Sequence, residues 1–105
     1  PQKDGQVNRK CKASSLAMHM TSKSSAYLEN VWIWTADHDI DKVTKDQIDV
    51  YTGRGLLIES DNAWLWGTSA EHAVLYQYQL LNAKNILMGM IQTDSPYSQP
   101  VLKAP

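Results

Sequence analysis

The sequence predicts an all-β fold, and more specifically a parallel β-helix, a solenoid in which the strand of each coil stacks on the next. Three observations predict it: short blocks with apolar residues at every second position, turn-forming residues between the blocks, and a weak internal repeat. No stretch has a long apolar stripe with the 3.6-residue period of a helix, so we expect almost no helix. Because the repeat is weak, a β-sandwich of antiparallel sheets is the alternative.

The predicted strands follow one another along most of the chain. Alternation begins at Leu16, Met18 and Met20. The other predicted strands are the blocks 30–36, 48–51, 55–59, 63–67, 74–80 and 85–91. The predicted turns are the ranges 21–25, 37–45, 52–54, 59–62, 82–84 and 93–96.

The repeat depends on an Asn placed just before a strand. Asn30 and Asn85 both precede alternating segments, and the segment Gly53-Arg-Gly-Leu-Leu-Ile58 lies midway between them. This spacing predicts coils of roughly 22 to 30 residues with one strand-bearing rung each, and about four coils in the chain. Asn30 and Asn85 are then expected at equivalent turns.

Neither end of the chain has the features of a solenoid cap, so we expect a piece of a larger molecule. We divide it into a polar N-terminal segment (1–10), a body of stacked strands (11–95) and a Pro-rich exit loop (96–105). The first segment has no initiator Met and no apolar signal-peptide core, which suits a mature or cleaved product.

Composition excludes several classes of function. Ten Lys and Arg against eleven Asp and Glu give a formal charge of -1, so no broad basic field attracts nucleic acid. No apolar run approaches the roughly 20 residues that cross a bilayer. Cys11 is the single cysteine, so a disulfide within the chain and a multi-cysteine metal site are excluded. It either pairs outside this segment or is a buried free thiol.

The aromatic residues are four Trp and five Tyr, with no Phe. Trp and Tyr have a flat apolar face and a polar edge, which suits stacking on sugar rings as well as core packing. Trp34, Trp66 and Tyr97 are our candidates for stacking on glucose. Trp32 and Trp64 each lie two residues before one of these and share its face if both segments are strands.

Several segments resemble the fungal glycoside hydrolase family 55. They are YLENVWIWTADHD at 27–39, YTGRGLLIES at 51–60, Glu71-His72, LYQYQ at 75–79, and MGMIQTDSPY at 88–97 before Gln99-Pro100. The resemblance extends from about Cys11 to Pro100 and implies a tandem pair of right-handed, pectate-lyase-like parallel β-helices in a longer, secreted chain. It also implies cleavage of β-1,3-glucan of the laminarin type from the non-reducing end, with inversion and without a metal or other cofactor. The implied partners are the glucan and the rest of the polypeptide, with no nucleic acid and no membrane.

The resemblance implies that Glu71, in Ala70-Glu-His72, and Asp94, in Gln92-Thr-Asp-Ser-Pro96, are the catalytic carboxyls. The family usually has Glu at the second position, so Asp94 departs from the family pattern there. An inverting glycosidase needs a proton donor and a base about 6.5 to 9.5 Å apart. In coils of about 23 residues, Glu71 and Asp94 fall on neighbouring coils at the same phase. We expect Asp94 to be the general acid in an apolar neighbourhood (88–91) and Glu71 to activate water; two ordinary loop carboxylates are the alternative.

The run Asp37, His38 and Asp39 contains residue types that bind metals, but consecutive residues leaving a strand point in different directions. We therefore expect no metal there, and interpret the run as a polar turn or as ligands of sugar hydroxyls. His72 and Gln77 lie near Glu71 in sequence and are candidates to orient water or the sugar ring, although His72 is also explained as a structural histidine.

Gln92 lies two residues before Asp94 and projects to the same side if the strand continues from Ile91 to Asp94. Two rival functions stay open at this point. One is a non-catalytic glucan-binding homologue, and the other is a structural solenoid fragment.

Overall fold

A computed structural model of the protein describes residues 9–96, so Tyr97 and the predicted exit loop beyond Pro96 lie outside the described residues. A short 3-10 helix at Arg9–Cys11 precedes the strands, and Cys11 is a partly buried free thiol. The strands are β1 (Lys12–Met20), β2 (Ser25–Glu29), β3 (Trp32–Trp34), β4 (Tyr51–Ile58), β5 (Asn62–Trp66), β6 (Ser69–Glu71), β7 (Tyr76–Leu80), β8 (Ile86–Gly89) and β9 (Gln92–Asp94). Within residues 9–96, no helix is long and apolar enough to cross a membrane.

The strands form three sheets of three strands each, and all their pairings are parallel. The first sheet has the order β1-β4-β7, the second β2-β5-β8 and the third β3-β6-β9. The chain therefore visits the three sheets in turn and repeats this order. The all-β prediction with almost no helix is confirmed for residues 9–96.

The predicted fold class, a right-handed pectate-lyase-like parallel β-helix of about four coils, is wrong. The described strands make three short, separate sheets rather than a four-coil solenoid with one rung per coil. The antiparallel sandwich is wrong as well, since each of the sheets in the described part of the chain is parallel. The expectation of one strand per coil is wrong because one passage through the sheets contains three strands.

Asn30 and Asn85, from which the repeat was predicted, lie at two different kinds of turn. Asn30 lies between β2 and β3, where the corresponding residues of the later passages are Gly67 and Met90. These three residues share a left-handed backbone, with φ of 53°, 65° and 52°. Asn85 also has a positive φ, of 49°, but it precedes β8. Because Asn adopts the left-handed conformation more readily than most residues, it marks tight turns in general and produced a false repeat.

Sequence alternation found most of the strands and missed three. The predicted turn 52–54 lies inside β4, and the strands β2, β6 and β9 were assigned to turns or left unassigned. β6 and β9 are short and mostly polar, so they give no apolar signal. These two strands carry both candidate catalytic carboxyls.

The apolar core fills the space between the sheets. It is formed by Met20, Ile33, Leu56, Ile58, Ala63, Leu65 and Ala70. Fully burying a large aliphatic side chain stabilises a fold by about 1.5 to 3 kcal/mol. Ile33 and Ala70 are register partners in the third sheet and both point into this core, so the residues on either side of them face outward.

A long connection, 35–50, separates β3 from β4. It folds back on itself through backbone bonds from Asp39 N to Asp46 O (2.8 Å) and from Ile48 N to Asp37 O (2.8 Å). An antiparallel bridge joins His38 to Gln47. This connection starts directly after Trp34 and therefore borders the outer face of the third sheet.

Candidate active site

The outer face of the third sheet brings together most of the predicted site residues. Its two outward rows are set by the strand register: Trp32, Ser69 and Gln92 form one row, and Trp34, Glu71 and Asp94 form the other. Neighbouring parallel strands lie about 4.8 Å apart, so the members of each row are adjacent. The predicted adjacency of Glu71 and Asp94, 23 positions apart, is present in this register.

Glu71 is a buried carboxyl with three hydrogen-bond donors. Glu71 as a whole residue is only 8% exposed. Oε1 accepts from Ser69 Oγ (2.5 Å) and from Gln92 Nε2 (2.9 Å), and Oε2 accepts from Trp32 Nε1 (2.9 Å). An ionised carboxylate is an acceptor only, so three donors match the charged form of Glu71. Gln92 thus lies on the side of the sheet that we predicted.

Asp94 has a more open environment. Its side chain is 59% exposed, and Oδ1 accepts from the backbone N–H of Ser95 at 2.6 Å. The predicted apolar neighbourhood is wrong, because Met88 and Ile91 pack against the core instead of enclosing the carboxyl. The cause is strand alternation, which points these residues inward while Asp94 points outward.

His72 joins the ends of β6 and β9. Its Nδ1 is 2.7 Å from the carbonyl oxygen of Ser95, and because a carbonyl only accepts, Nδ1 carries the hydrogen. Nε2 then faces Asp94 Oδ2 at 4.0 Å. His72 is buried and has a φ of 64°, a conformation that costs a non-glycine residue free energy and is held here by the surrounding contacts.

A pair of tryptophans lies beside the carboxyls. The rings of Trp32 and Trp34 are stacked, with centroids 4.6 Å apart and an angle of 21° between their planes. His38 meets Trp34 edge-on at 5.2 Å, and its Nδ1 is 2.7 Å from Asp37 Oδ1. The structure therefore places Asp37 and His38 at the border of the tryptophan pair.

Asp39 and Gln77 are engaged elsewhere. Asp39 Oδ1 accepts from the N–H of Asp41 at 2.9 Å, and Oδ2 lies 3.6 Å from Lys42 Nζ, both within the connection 35–50. The Gln77 amide bonds both the N–H and the carbonyl of Ala73, at 2.9 and 2.8 Å. These contacts give both side chains a role in holding the backbone.

Trp66 lies on the second sheet and is not brought to Glu71. It lines an open apolar groove of about 450 Å³ together with Tyr27, Trp64 and Leu87. Its ring covers Gly89, where a Cβ would approach ring carbons to 2.6 Å. As expected, Trp64 and Trp66 share a face. Tyr97 lies outside the described residues.

Sequence reasoning missed two residues of the site, Trp32 and Ser69. Each lies two positions before a predicted site residue, Trp34 or Glu71, and so shares its face along a strand. Alternation places Trp32 on the face of Trp34, as expected, and the same reasoning applied to Glu71 finds Ser69. Their contact with Glu71 depends on cross-strand register, which the sequence did not provide.

Tyr78 lies beneath this face and bonds the backbone where β6 and β9 begin. Its hydroxyl is 2.8 Å from the carbonyl oxygen of Thr68 and 3.1 Å from that of Gln92. Burial is the main cause that raises the pKa of Tyr78 to about 12. A hydrogen bond with the Ala70 backbone lowers this pKa, and the negative charge of Glu71 raises it. The neutral phenol is therefore the stable form next to the Glu71 carboxylate.

Two proteins that are similar in sequence to this chain are named as glucanases. The chain is 50% identical over 91 residues to a probable glucan endo-1,3-beta-glucosidase of Arthroderma benhamiae, and 46% identical over 102 residues to a glucan 1,3-beta-glucosidase of Cochliobolus carbonum. These matches cover 86% and 96% of the chain. The chain is similar to named glucan 1,3-β-glucosidases over most of its length. No protein-family model matches it.

A third relative has a different name. The chain is 61% identical over 103 residues, 97% of its length, to a protein of Penicillium expansum named non-secreted LysM effector LysM15. The chain spans only 7% of that protein, and 10% and 13% of the two glucosidases. It therefore corresponds to a small part of each relative.

Proposed function

We propose that the outer face of the third sheet hydrolyses β-1,3-glucan, as part of an enzyme of the glycoside hydrolase family 55 type. The reaction releases glucose from the non-reducing end with inversion. The observation that carries this proposal is the pairing of Glu71 with Asp94 on adjacent strands, beside a stacked pair of tryptophans. The names of two relatives support the choice of substrate.

The two carboxyls differ in exposure, and the family resemblance gives them different roles. Glu71, held by three donors, is the base, and Oε2 has one donor only, which leaves a lone pair to take a proton from water. Asp94 is the acid: Oδ1 accepts from Ser95 N–H, and Oδ2, which faces His72 Nε2 at 4.0 Å, would give its proton to the glycosidic oxygen. An inverting reaction needs about 6.5 to 9.5 Å between the carboxyls to admit the water.

The tryptophan pair provides a flat surface for a sugar ring. Trp34 is in the same row as both carboxyls, so a pyranose stacked on its ring would bring a glycosidic bond to them. The Asp37 and His38 side chains at the border of Trp34 suit hydrogen bonds to sugar hydroxyls. These residues would hold the glucan while Glu71 and Asp94 act on the bond.

A non-catalytic glucan-binding role is the second candidate. Asp94 is one methylene shorter than the Glu of the family pattern, and a displacement of about 1 Å of a catalytic group costs about a hundredfold in rate. A relative with 61% identity has the name of an effector rather than of an enzyme. In this case the tryptophan pair would bind glucan without cleavage.

We also propose that the protein is secreted. An extracellular enzyme suits a polysaccharide substrate, and an oxidising compartment would allow Cys11 to pair with a cysteine elsewhere in the polypeptide. Thiol labelling of the protein at its full natural length, before and after reduction, tests this. Labelling of Cys11 only after reduction agrees with the pairing.

The experiment that tests the function is glucose release from laminarin by the protein at its full natural length. We expect Glu71→Gln and Asp94→Asn each to abolish release while glucan binding persists, because both groups act mainly in the transition state. Matched controls are Glu29→Gln and Asp61→Asn, which change exposed carboxyls outside this face. Full turnover by Glu71→Gln or Asp94→Asn contradicts the proposal. Binding without any release by the unaltered protein favours the second candidate.

A further inference from the structure

We infer that Trp32 is a positioning residue for the base: its indole N–H fixes the Glu71 carboxylate, and its ring fixes Trp34. This inference deepens the proposed function and rests on it. Trp32 does not have to touch the substrate to act in this way. It sets where the water-activating oxygen lies relative to the surface on which the sugar stacks.

The hydrogen bonds distinguish Trp32 from the other donors. Ser69 and Gln92 both donate hydrogen bonds to Oε1 of Glu71, whereas the Trp32 indole N–H donates to Oε2. Without the indole N–H, the carboxylate would be held through one oxygen and could turn about it. An indole N–H only donates, so it cannot exchange roles as the Ser69 hydroxyl can.

The ring of Trp32 connects the base to the sugar surface. It stacks on Trp34 with centroids 4.6 Å apart, while its N–H reaches Glu71 at 2.9 Å. One rigid side chain thus spans from the stacking surface to the base. Because misplacement of about 1 Å costs about a hundredfold in rate, a loss of this link is expected to lower turnover more than binding.

The test uses Trp32→Phe in the protein at its full natural length, since phenylalanine keeps a ring against Trp34 but has no N–H. We expect kcat on laminarin to fall between about 10- and 100-fold, with KM within about twofold. Trp64→Phe, the same change on the exposed face of the second sheet, is the control and should change neither constant. An unchanged kcat for Trp32→Phe overturns the inference.

A double-mutant cycle separates positioning from a general structural effect. If Trp32 acts through Glu71, then Trp32→Phe in the Glu71→Gln background should lower the residual turnover little further. Residual turnover is measured on an aryl β-glucoside to keep it detectable. Effects that multiply in the double variant overturn the inference, since they would mean that Trp32 acts independently of the base.

A spectroscopic readout keeps the inference testable without activity. If the unaltered protein hydrolyses no glucan, the proposed function fails, but the indole hydrogen bond can still be measured by ultraviolet resonance Raman spectroscopy. We expect a strongly hydrogen-bonded indole signal that disappears in Trp32→Phe and weakens in Glu71→Gln, where the acceptor is neutral. A signal that is the same in Glu71→Gln as in the unaltered protein contradicts the link between Trp32 and Glu71.

Discussion

Glu71 and Asp94 are direct register partners on adjacent parallel strands, yet their side chains have opposite degrees of exposure. Glu71 is 8% exposed as a residue and has three side-chain donors, whereas the Asp94 side chain is 59% exposed and has one backbone donor. The proposed base is thus the enclosed carboxyl, and the proposed acid is the open one.

If Asp94 is the general acid, the rate lost in Asp94→Asn should depend on the leaving group of the substrate. Asp94→Asn should lose hydrolysis of laminarin but keep much of its rate on an aryl β-glucoside with an acidic phenol, because such a leaving group departs without protonation. The measurement is kcat/KM on both substrates. Equal losses on the two substrates would contradict the acid role, and Asp61→Asn serves as the control for the chemical change.

The exposure of Asp94 predicts room for a longer side chain. Asp94→Glu adds one methylene and restores the residue that the family pattern usually has. We expect kcat on laminarin to be preserved or raised, because the carboxyl extends into solvent rather than into packed atoms. A drop in kcat of about tenfold or more would mean that the site is built around the shorter acid.

The sequence predicted the all-β class and the outward alternation of Trp32 with Trp34 and of Gln92 with Asp94. It failed on the number and arrangement of sheets, because β6 and β9 are short and mostly polar and so, unlike the equally short β3, give no apolar signal. The 23-residue spacing of Glu71 and Asp94 was a sound guide to their adjacency. It is the distance along the chain from β6 to β9, whereas the register partners Trp34 and Glu71 are 37 positions apart because the long connection 35–50 lies between β3 and β4.

The contacts of the site could not be predicted from the sequence. The bond from Trp32 to Glu71 joins residues 39 positions apart, and it exists because the register places Trp32 opposite Ser69. Trp66 lies apart from Glu71 for a related reason, since it belongs to the strand before the turn at Gly67 and therefore to another sheet. A single sequence records alternation within a strand but not which strands become neighbours.

The shared turn at Gly67 and Met90 predicts opposite effects of two substitutions. Gly67 has a φ of 65°, and a Cβ there would collide with Asn30 Oδ1, so Gly67→Ala should destabilise the protein by about 1 to 2 kcal/mol or more. Met90 has a φ of 52° and is exposed, so Met90→Gly should be neutral or slightly stabilising. Chemical denaturation measures both. The explanation fails if Gly67→Ala is neutral.

The raised pKa of Tyr78 predicts a loss of stability in alkali. Its folded pKa of about 12 lies above the ordinary value of 10.0, so the neutral phenol stabilises the fold below pH 10, and this contribution is lost as the pH rises through 12. Tyr78→Phe should cost about 1 kcal/mol near pH 8, from the lost hydrogen bond. The difference from the unaltered protein should shrink between pH 10 and 12.

The control for this prediction is Tyr27→Phe, which changes an exposed phenol on the second sheet. Its effect on stability should stay small from pH 8 to pH 12. Denaturant titrations at each pH supply both differences. A constant Tyr78→Phe deficit across this range would contradict the account of Tyr78.

The central claim is that Glu71 and Asp94 act together as the base and acid of an inverting β-1,3-glucan hydrolase. The most direct test is proton NMR of the sugar first released from laminarin by the protein at its full natural length, before the anomers equilibrate. The claim predicts α-glucose as the first product, with none released by Glu71→Gln. Initial release of β-glucose, or release that is undiminished in Glu71→Gln, would contradict it.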